Sequence, residues 1–107
     1  MTNPYRGEVS VELNGKAHLM RLPLGILAEL EESLGAESLV QLVERFEQGA
    51  FRAKDVLVLL AAGLKGAGSE ISADLLAAAE FAGGAVGAAK AAARLLRVTF
   101  ALPDERE

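Results

Sequence analysis

His18 is the only histidine in the chain and there is no cysteine, so a metal site would have to take its other ligands from carboxylates. A nucleophilic dyad would need a hydroxyl such as Ser10 beside that imidazole, and the strand register derived below offers no well-placed candidate. His18 therefore reads as a half-buried histidine on a packing face. Glu29, Glu31 and Glu32 form the densest acidic cluster. General acid/base pairs need carboxylates held in a pocket with separated pKa values, and a helix surface supplies a solvated face instead. Lys65-Gly-Ala-Gly-Ser69 has the composition of a phosphate loop, yet a Walker A places Lys after the glycines, between a strand and a helix. Here Lys comes first, and the segment reads as a turn. No catalytic, cofactor-binding or metal-binding residue is assigned, no cofactor is expected, and an enzyme is the least favoured class.

Lys90, Arg94 and Arg97 make the one surface feature with a direction. At helical spacing they line a single flank, where they could meet an acidic partner or nucleic acid, and they also complement the negative C-terminal end of their own helix. One Tyr, four Phe and no Trp provide no stacking platform for single strands and no aromatic hot-spot cluster. Three apolar residues, Val58, Leu95 and Val98, fall outside the best core stripes. Together with the three cations they form the candidate partner-binding set. Gly83-x-x-x-Gly87 has the form of a membrane dimerisation pattern, but Glu80, Lys90 and Arg94 flank it, so close packing within a bundle is the better reading.

These residues need elements to position them. Two alternating runs, Glu8 to Leu13 and Lys16 to Leu22, flank Asn14-Gly15, the strongest short hairpin signal. A two-residue type I′ loop pairs Leu13 with Lys16, Val11 with His18 and Val9 with Met20. One side then gathers Val9, Val11, His18, Met20 and Leu22, and Glu8 faces Arg21. A three-residue loop would shift the register and turn His18 to the polar side. Pro23 ends the second strand.

Leu24 to Leu34 places Leu27, Leu30 and Leu34 on one helical stripe, with Gly35 as its C′ residue. Ser38-x-x-Gln41 has the form of a capping box for a helix presenting Leu39, Leu42, Val43 and Phe46, closed by Gly49. Ala53 to Leu64 contains Val56 to Leu60 without a polar interruption, too apolar for a surface helix and so central in the bundle; Val56 and Val58 leave a strand as the weaker alternative. Ser72 is placed to cap a helix, with Asp74 in its first turn and Ile71 positioned to staple onto Leu76. Gly83-Gly84 divides the Ala-rich run that follows into a short helix and a longer one ending near Phe100, with Val86, Ala89, Ala93, Leu96 and Phe100 on its expected core face.

The 107 residues are 51% hydrophobic and 24% charged, with a formal net charge of -4. That length and composition predict one domain over residues 1–107, with 1–7 and 101–107 frayed, and enough core to dispense with a metal or disulfide. The expected fold class is α+β: an N-terminal β-hairpin followed by a mostly α-helical bundle of about five helices. The negative charge opposes a general affinity for nucleic acid. Met1 to Gly7 lacks an apolar signal core, and the longest uncharged stretches, Val56 to Leu64 and Phe81 to Ala89, fall well short of the roughly 20 residues of a membrane span. A cytoplasmic protein with no membrane partner is expected.

The segment Arg6-Gly-Glu-Val-Ser-Val-Glu-Leu-Asn-Gly-Lys, then Leu22-Pro-Leu-Gly-Ile-Leu-Ala-Glu-Leu-Glu31, Arg45-Phe-Glu-Gln-Gly49 and Leu64-Lys-Gly-Ala-Gly68 together resemble one small family. It comprises the gene transfer agent and phage tail proteins classed as tail assembly chaperones, sometimes labelled tail tube proteins. The resemblance runs from Arg6 to about Phe100, and its most specific element is Leu24-Gly25-x-x-Ala28-Glu29-Leu30-Glu31 directly after an Asn-Gly hairpin. Where that family often places a hydroxyl cap after the Phe-Glu-x-Gly turn, this chain has Arg52.

The resemblance implies a non-enzymatic cytoplasmic protein of the bacterial host cell during particle assembly. It would bind the long, helical tape measure protein, help tail tube subunits polymerise around it, and be absent from the finished particle. A structural tail component is the runner-up, and a small nucleic-acid-binding regulator acting through Lys90, Arg94 and Arg97 is third. Self-association is left open.

Overall fold

A computed structural model describes residues 7–34 and 38–100 of the chain. Its elements run β1 (Val9–Leu13), β2 (Lys16–Met20), α1 (Leu24–Leu34), α2 (Leu39–Gln48), α3 (Ala53–Gly66), α4 (Ala73–Ala78) and α5 (Gly84–Phe100). The expected α+β architecture of one antiparallel hairpin and five helices is the one observed. Gly35 and the two termini expected to fray, apart from Gly7, lie outside the described residues.

Asn14 and Gly15 take φ values of 52° and 80°, the positive pair a type I′ loop requires. The loop fixes the register Leu13↔Lys16, Val11↔His18 and Val9↔Met20. Val9, Val11, Leu13, Met20 and Leu22 are buried and His18 is half-buried, so the packing face of the hairpin is the one its alternation predicts. The ladder ends at Val9↔Met20, and the expected Glu8–Arg21 pairing lies beyond it. Past that point the Arg21 N–H donates to the Gly63 carbonyl of α3 at 3.0 Å.

The hairpin has a third participant that the alternation of residues does not announce. Phe81 bridges antiparallel to Leu13. The Asn14 N–H donates to the Glu80 carbonyl at 2.7 Å, the Ala82 N–H to the Glu12 carbonyl at 3.2 Å, and the Glu80 N–H to Asn14 Oδ1 at 2.9 Å. The connection between α4 and α5 is therefore an extended, paired segment rather than a simple two-glycine break.

Helix α3 is central, as its apolar run predicts. It packs on β2, α1, α4 and α5, and Leu59 and Leu60 are fully buried. It also runs to Gly66, so Lys65 and Gly66 belong to the helix and not to the expected turn. Gly66 is there for close approach: an added Cβ would overlap the Arg21 carbonyl and lie 2.7 Å from Pro23 Cδ. At Gly63 a Cβ would come within 2.6 Å of Leu95 Cδ2 and 3.0 Å of Met20 Cβ. The missing side chains let β2 and α5 both press on the α3 backbone.

Helix α5 is rotated from the expected orientation. Its buried residues are Ala88, Ala91, Ala92, Leu95 and Leu96, while Val86 and Phe100 are exposed. The physical reason is the hollow over Gly63, which Leu95 fills and which draws the adjoining alanines inward. Leu95 belongs to the core and not to an open face. Gly87 serves close packing, as the small-residue reading expects, but against the Ala82 carbonyl of the turn that enters its own helix.

The remaining caps follow the sequence. Ser38 Oγ accepts from the Gln41 N–H while Gln41 Oε1 accepts from the Ser38 N–H. Gly49 closes α2 in the left-handed region, and Ser72 Oγ accepts from the Leu75 N–H. Arg52 offers no hydroxyl to cap α3, and the helix starts at Ala53 all the same. Asp55 accepts from the Arg52 N–H at 2.8 Å and does the work from inside the first turn. Its other oxygen receives Arg45 of α2 at 2.9 Å and the Arg52 guanidinium at 3.3 Å. Asp55 is almost fully buried, so this charged node ties α2 to the start of α3. Burial alone would push its carboxyl up, but the Arg52 backbone and side-chain hydrogen bonds, with the bond and charge of Arg45, bring it below its ordinary value of 3.8.

Two stability predictions follow from these positions. Gly15→Val should lower stability by about 1 to 2 kcal/mol, read as the denaturant midpoint; a Cβ there meets nothing within 4 Å, so the cost is the positive φ alone. Asp55→Asn should cost about 2 kcal/mol at pH 7, the scale of charged hydrogen bonds. Because the folded value is depressed, the carboxylate's contribution is complete above the unfolded value of 3.8 and fades as pH falls through the folded one. The stability gap between the parent and Asp55→Asn should accordingly narrow below about pH 4 in urea titrations.

Candidate functional site

Helix α5 is 17 residues long and, at 1.5 Å per residue, about 25 Å from end to end. One side enters the core through Ala88, Ala92 and Leu95. Successive residues turn by about 100°, which brings Val86, Ala89, Ala93 and Phe100 together on an adjoining face and places Lys90 and Arg97, then Arg94, at its outer border. The face first expected to be core is thus a real apolar stripe, but one that the fold leaves partly open.

Two hollows follow each other along this stripe. The first, of about 710 Å³, lies over Ala85, Ala88 and Ala89, with Phe51, Val56, Leu57 and Phe81 among its other walls. The second, of about 360 Å³, lies over Ala93, Leu96, Arg97 and Phe100 and is closed on the far side by Val43, Phe46 and Glu47 of α2. Phe46 and Phe51 stack with ring centroids 4.7 Å apart and planes within 7°. One ring lines each hollow, so the pair joins their walls into a single trough. The Arg45–Asp55 ion pair holds α2 where it completes this wall.

The trough is apolar along its floor, and of the three α5 cations only Arg97 is among its lining residues. Lys90, Arg94 and Arg97 are exposed, and none has an ion-pair partner among the described residues. Glu80 lines the first hollow and Glu47 the second. Such an arrangement can hold an amphipathic segment by burying its apolar stripe.

Of the candidate partner-binding residues, the structure brings Lys90, Arg94 and Arg97 together on one flank. Val98 is half-buried beyond Arg94, outside the trough. Leu95 has no exposed surface. Val58 is half-buried and stands about 140° around α3 from Gly63, the position that meets Leu95, so it belongs to a different side of the molecule. Sequence reasoning missed the aromatic wall. The available signal was Phe46 and Phe51 on either side of Gly49, whose reversal of the chain brings rings five residues apart face to face. His18 borders a small separate hollow with Leu13, Ile71 and Leu75, and no group of three or more metal-ligating side chains occurs among the described residues. No helix among them is long and apolar enough to cross a membrane.

No curated protein and no solved structure matches the chain. A family model described as "Phage tail tube protein, GTA-gp10" matches residues 6–102. The match takes in the hairpin, all five helices and both walls of the trough, and on that evidence the chain belongs to this family of phage and gene transfer agent tail proteins.

Proposed function

We propose that the protein is a non-enzymatic tail assembly chaperone, acting in the cytoplasm of the bacterial host during particle assembly. It binds the tape measure protein and assists tail tube subunits to polymerise around it. The observation that carries this reading is the open trough along α5: an apolar floor about as long as α5 itself, with Arg97 in its lining. A groove of this form suits the apolar face of an amphipathic helix, and the tape measure is long and helical. Val58, Leu95 and Val98 line neither hollow and have no part in that surface.

A structural tail component is the second reading, favoured by the description of the family as tail tube protein. Co-expression with the tape measure of the same element separates the two, with light scattering on the soluble fraction after size exclusion. A soluble complex that forms only when this chain is present is the expected result. An insoluble tape measure, with this chain alone assembling into rings or tubes, would establish the structural role instead. Ala85 is exposed and lines the first hollow, so Ala85→Asp should leave stability within about 0.5 kcal/mol of the parent while abolishing the complex. An undiminished complex would move the interface away from α5.

A further inference from the structure

We infer that α2 is a strap hinged at Gly49: its C-terminal end stays fastened while its far end lifts from α5 and widens the second hollow. The motion belongs to the free protein. It rests on the reading of the trough as a partner interface only in what it would regulate, the entry of that partner.

Three observations converge. The contact between α2 and α5 encloses space: the hollow of about 360 Å³ has Val43 and Phe46 on one side and Ala93, Leu96 and Phe100 on the other, and apolar atoms separated by a gap forgo their mutual attraction. Helix α2 also gives little to the core. Leu42 is its one buried residue, while Leu39, Val43 and Phe46 on the same side are half-buried. The neighbouring α3 buries Val56, Leu59, Leu60 and Leu64. Segments with few buried apolar groups are the ones that open well below the cost of global unfolding.

The fastenings are at one end. Arg45 reaches Asp55 and Phe46 stacks on Phe51, and both residues lie within about one turn of Gly49. Leu39 to Leu42, at the other end, make no ion pair or hydrogen bond to another element among the described residues. At the hinge, Gly49 has a φ of 72°, and nothing stands within 4 Å of where its Cβ would be, so no neighbour blocks rotation there. Each end of α2 is capped from within its own segment, by Ser38 with Gln41 and by the Gly49 N–H on the Phe46 carbonyl. The helix therefore keeps these terminal groups paired as it moves.

The test uses the full-length protein. The chain has no cysteine, so nitroxide labels can be placed in pairs at exposed positions: Val40→Cys with Lys90→Cys for the far end, and Gln48→Cys with Lys90→Cys for the fastened end. Circular dichroism and melting establish folding, and pulsed electron spin resonance reads the distances. A swing of roughly 20° over a helix about 15 Å long moves the far end by about 5 Å. The Val40 pair should show a second distance longer by at least that amount, and the Gln48 pair a single one. One distance for both pairs would mean a fixed helix, two for both would mean detachment of the whole of it, and either would overturn the inference.

A longer distance that vanishes on dilution with unlabelled protein would come from a second copy and overturn it as well. The regulatory part is read in the complex obtained by co-expression with a cysteine-free form of the tape measure, labelled in the same way. There the share of the longer Val40 distance should rise, and an unchanged share would overturn the role of α2 in admitting a partner. If no complex forms, the chaperone reading fails, while the distances in the free protein still decide the hinge.

Discussion

The architecture depends on a backbone-to-backbone seam between the end of β2 and the last turns of α3. Arg21 donates to the Gly63 carbonyl, and the absence of a Cβ at Gly66 lets the Arg21 carbonyl and the Pro23 ring settle on the helix. A two-stranded hairpin is marginal by itself. Seated on α3, it delivers Val9, Val11, Leu13 and Met20 to the same core that receives Leu59, Leu60, Leu64 and Leu95. Gly63 serves both neighbours at once, with Met20 from one side and Leu95 from the other. The position of the hairpin and the rotation of α5 are therefore set by the same few ångströms of helix surface.

That coupling explains how the trough arises. With Leu95 over Gly63, Ala88 and Ala92 must face inward, and the flank carrying Val86, Ala89 and Ala93 is turned outward in consequence. Had α5 rolled to bury Val86 and Phe100, the stripe would have vanished into the core and the cations would have moved around with it. The second wall is fixed independently. Asp55, nearly excluded from water, gathers Arg45 from α2 and Arg52 from the head of α3, and the stacked Phe46 and Phe51 complete the junction on its apolar side. A buried ion pair is weak evidence for net stability, but as a locating device it places α2 beside α5.

Much of this was legible in the sequence wherever a local rule governs. Asn14-Gly15 specified both the turn and the register because few residue pairs accept two positive φ values. Ser38, Ser72 and Gly49 marked helix ends because each satisfies a particular orphan backbone group. The misreadings share a cause: they concern residues whose role is set by something distant in sequence. Gly66 resembled a turn glycine because its reason for being Gly is Arg21, which no local pattern reveals. Val86 and Phe100 share a face with Leu96 and looked like core, since periodicity gives the members of a face but not which of two adjoining faces wins burial. The pairing of residues 80–82 with β1 escaped notice because a short Ala- and Gly-flanked segment has no strand signature. Of the candidate site, Arg97 was visible from the helical spacing of the basic residues; the aromatic wall was not, because it needs the Gly49 reversal to exist.

The small bridge between Phe81 and Leu13 has a bearing on how this chain behaves in a crowd. An uncapped strand invites neighbours to add to it, and a hairpin has two such borders. Segment 80–82 occupies the Glu12 to Asn14 portion of one border, and the attachment of Arg21 to α3 terminates the other. What remains open is Ser10 on β1 and the short run around Ala17 and Leu19 on β2, whose amide groups the register turns outward. Strand-by-strand growth between copies is thus confined to a short window on each border, while the helical surface alongside stays available for encounter. The molecule keeps its stickiest backbone occupied with itself and leaves side chains to choose its company.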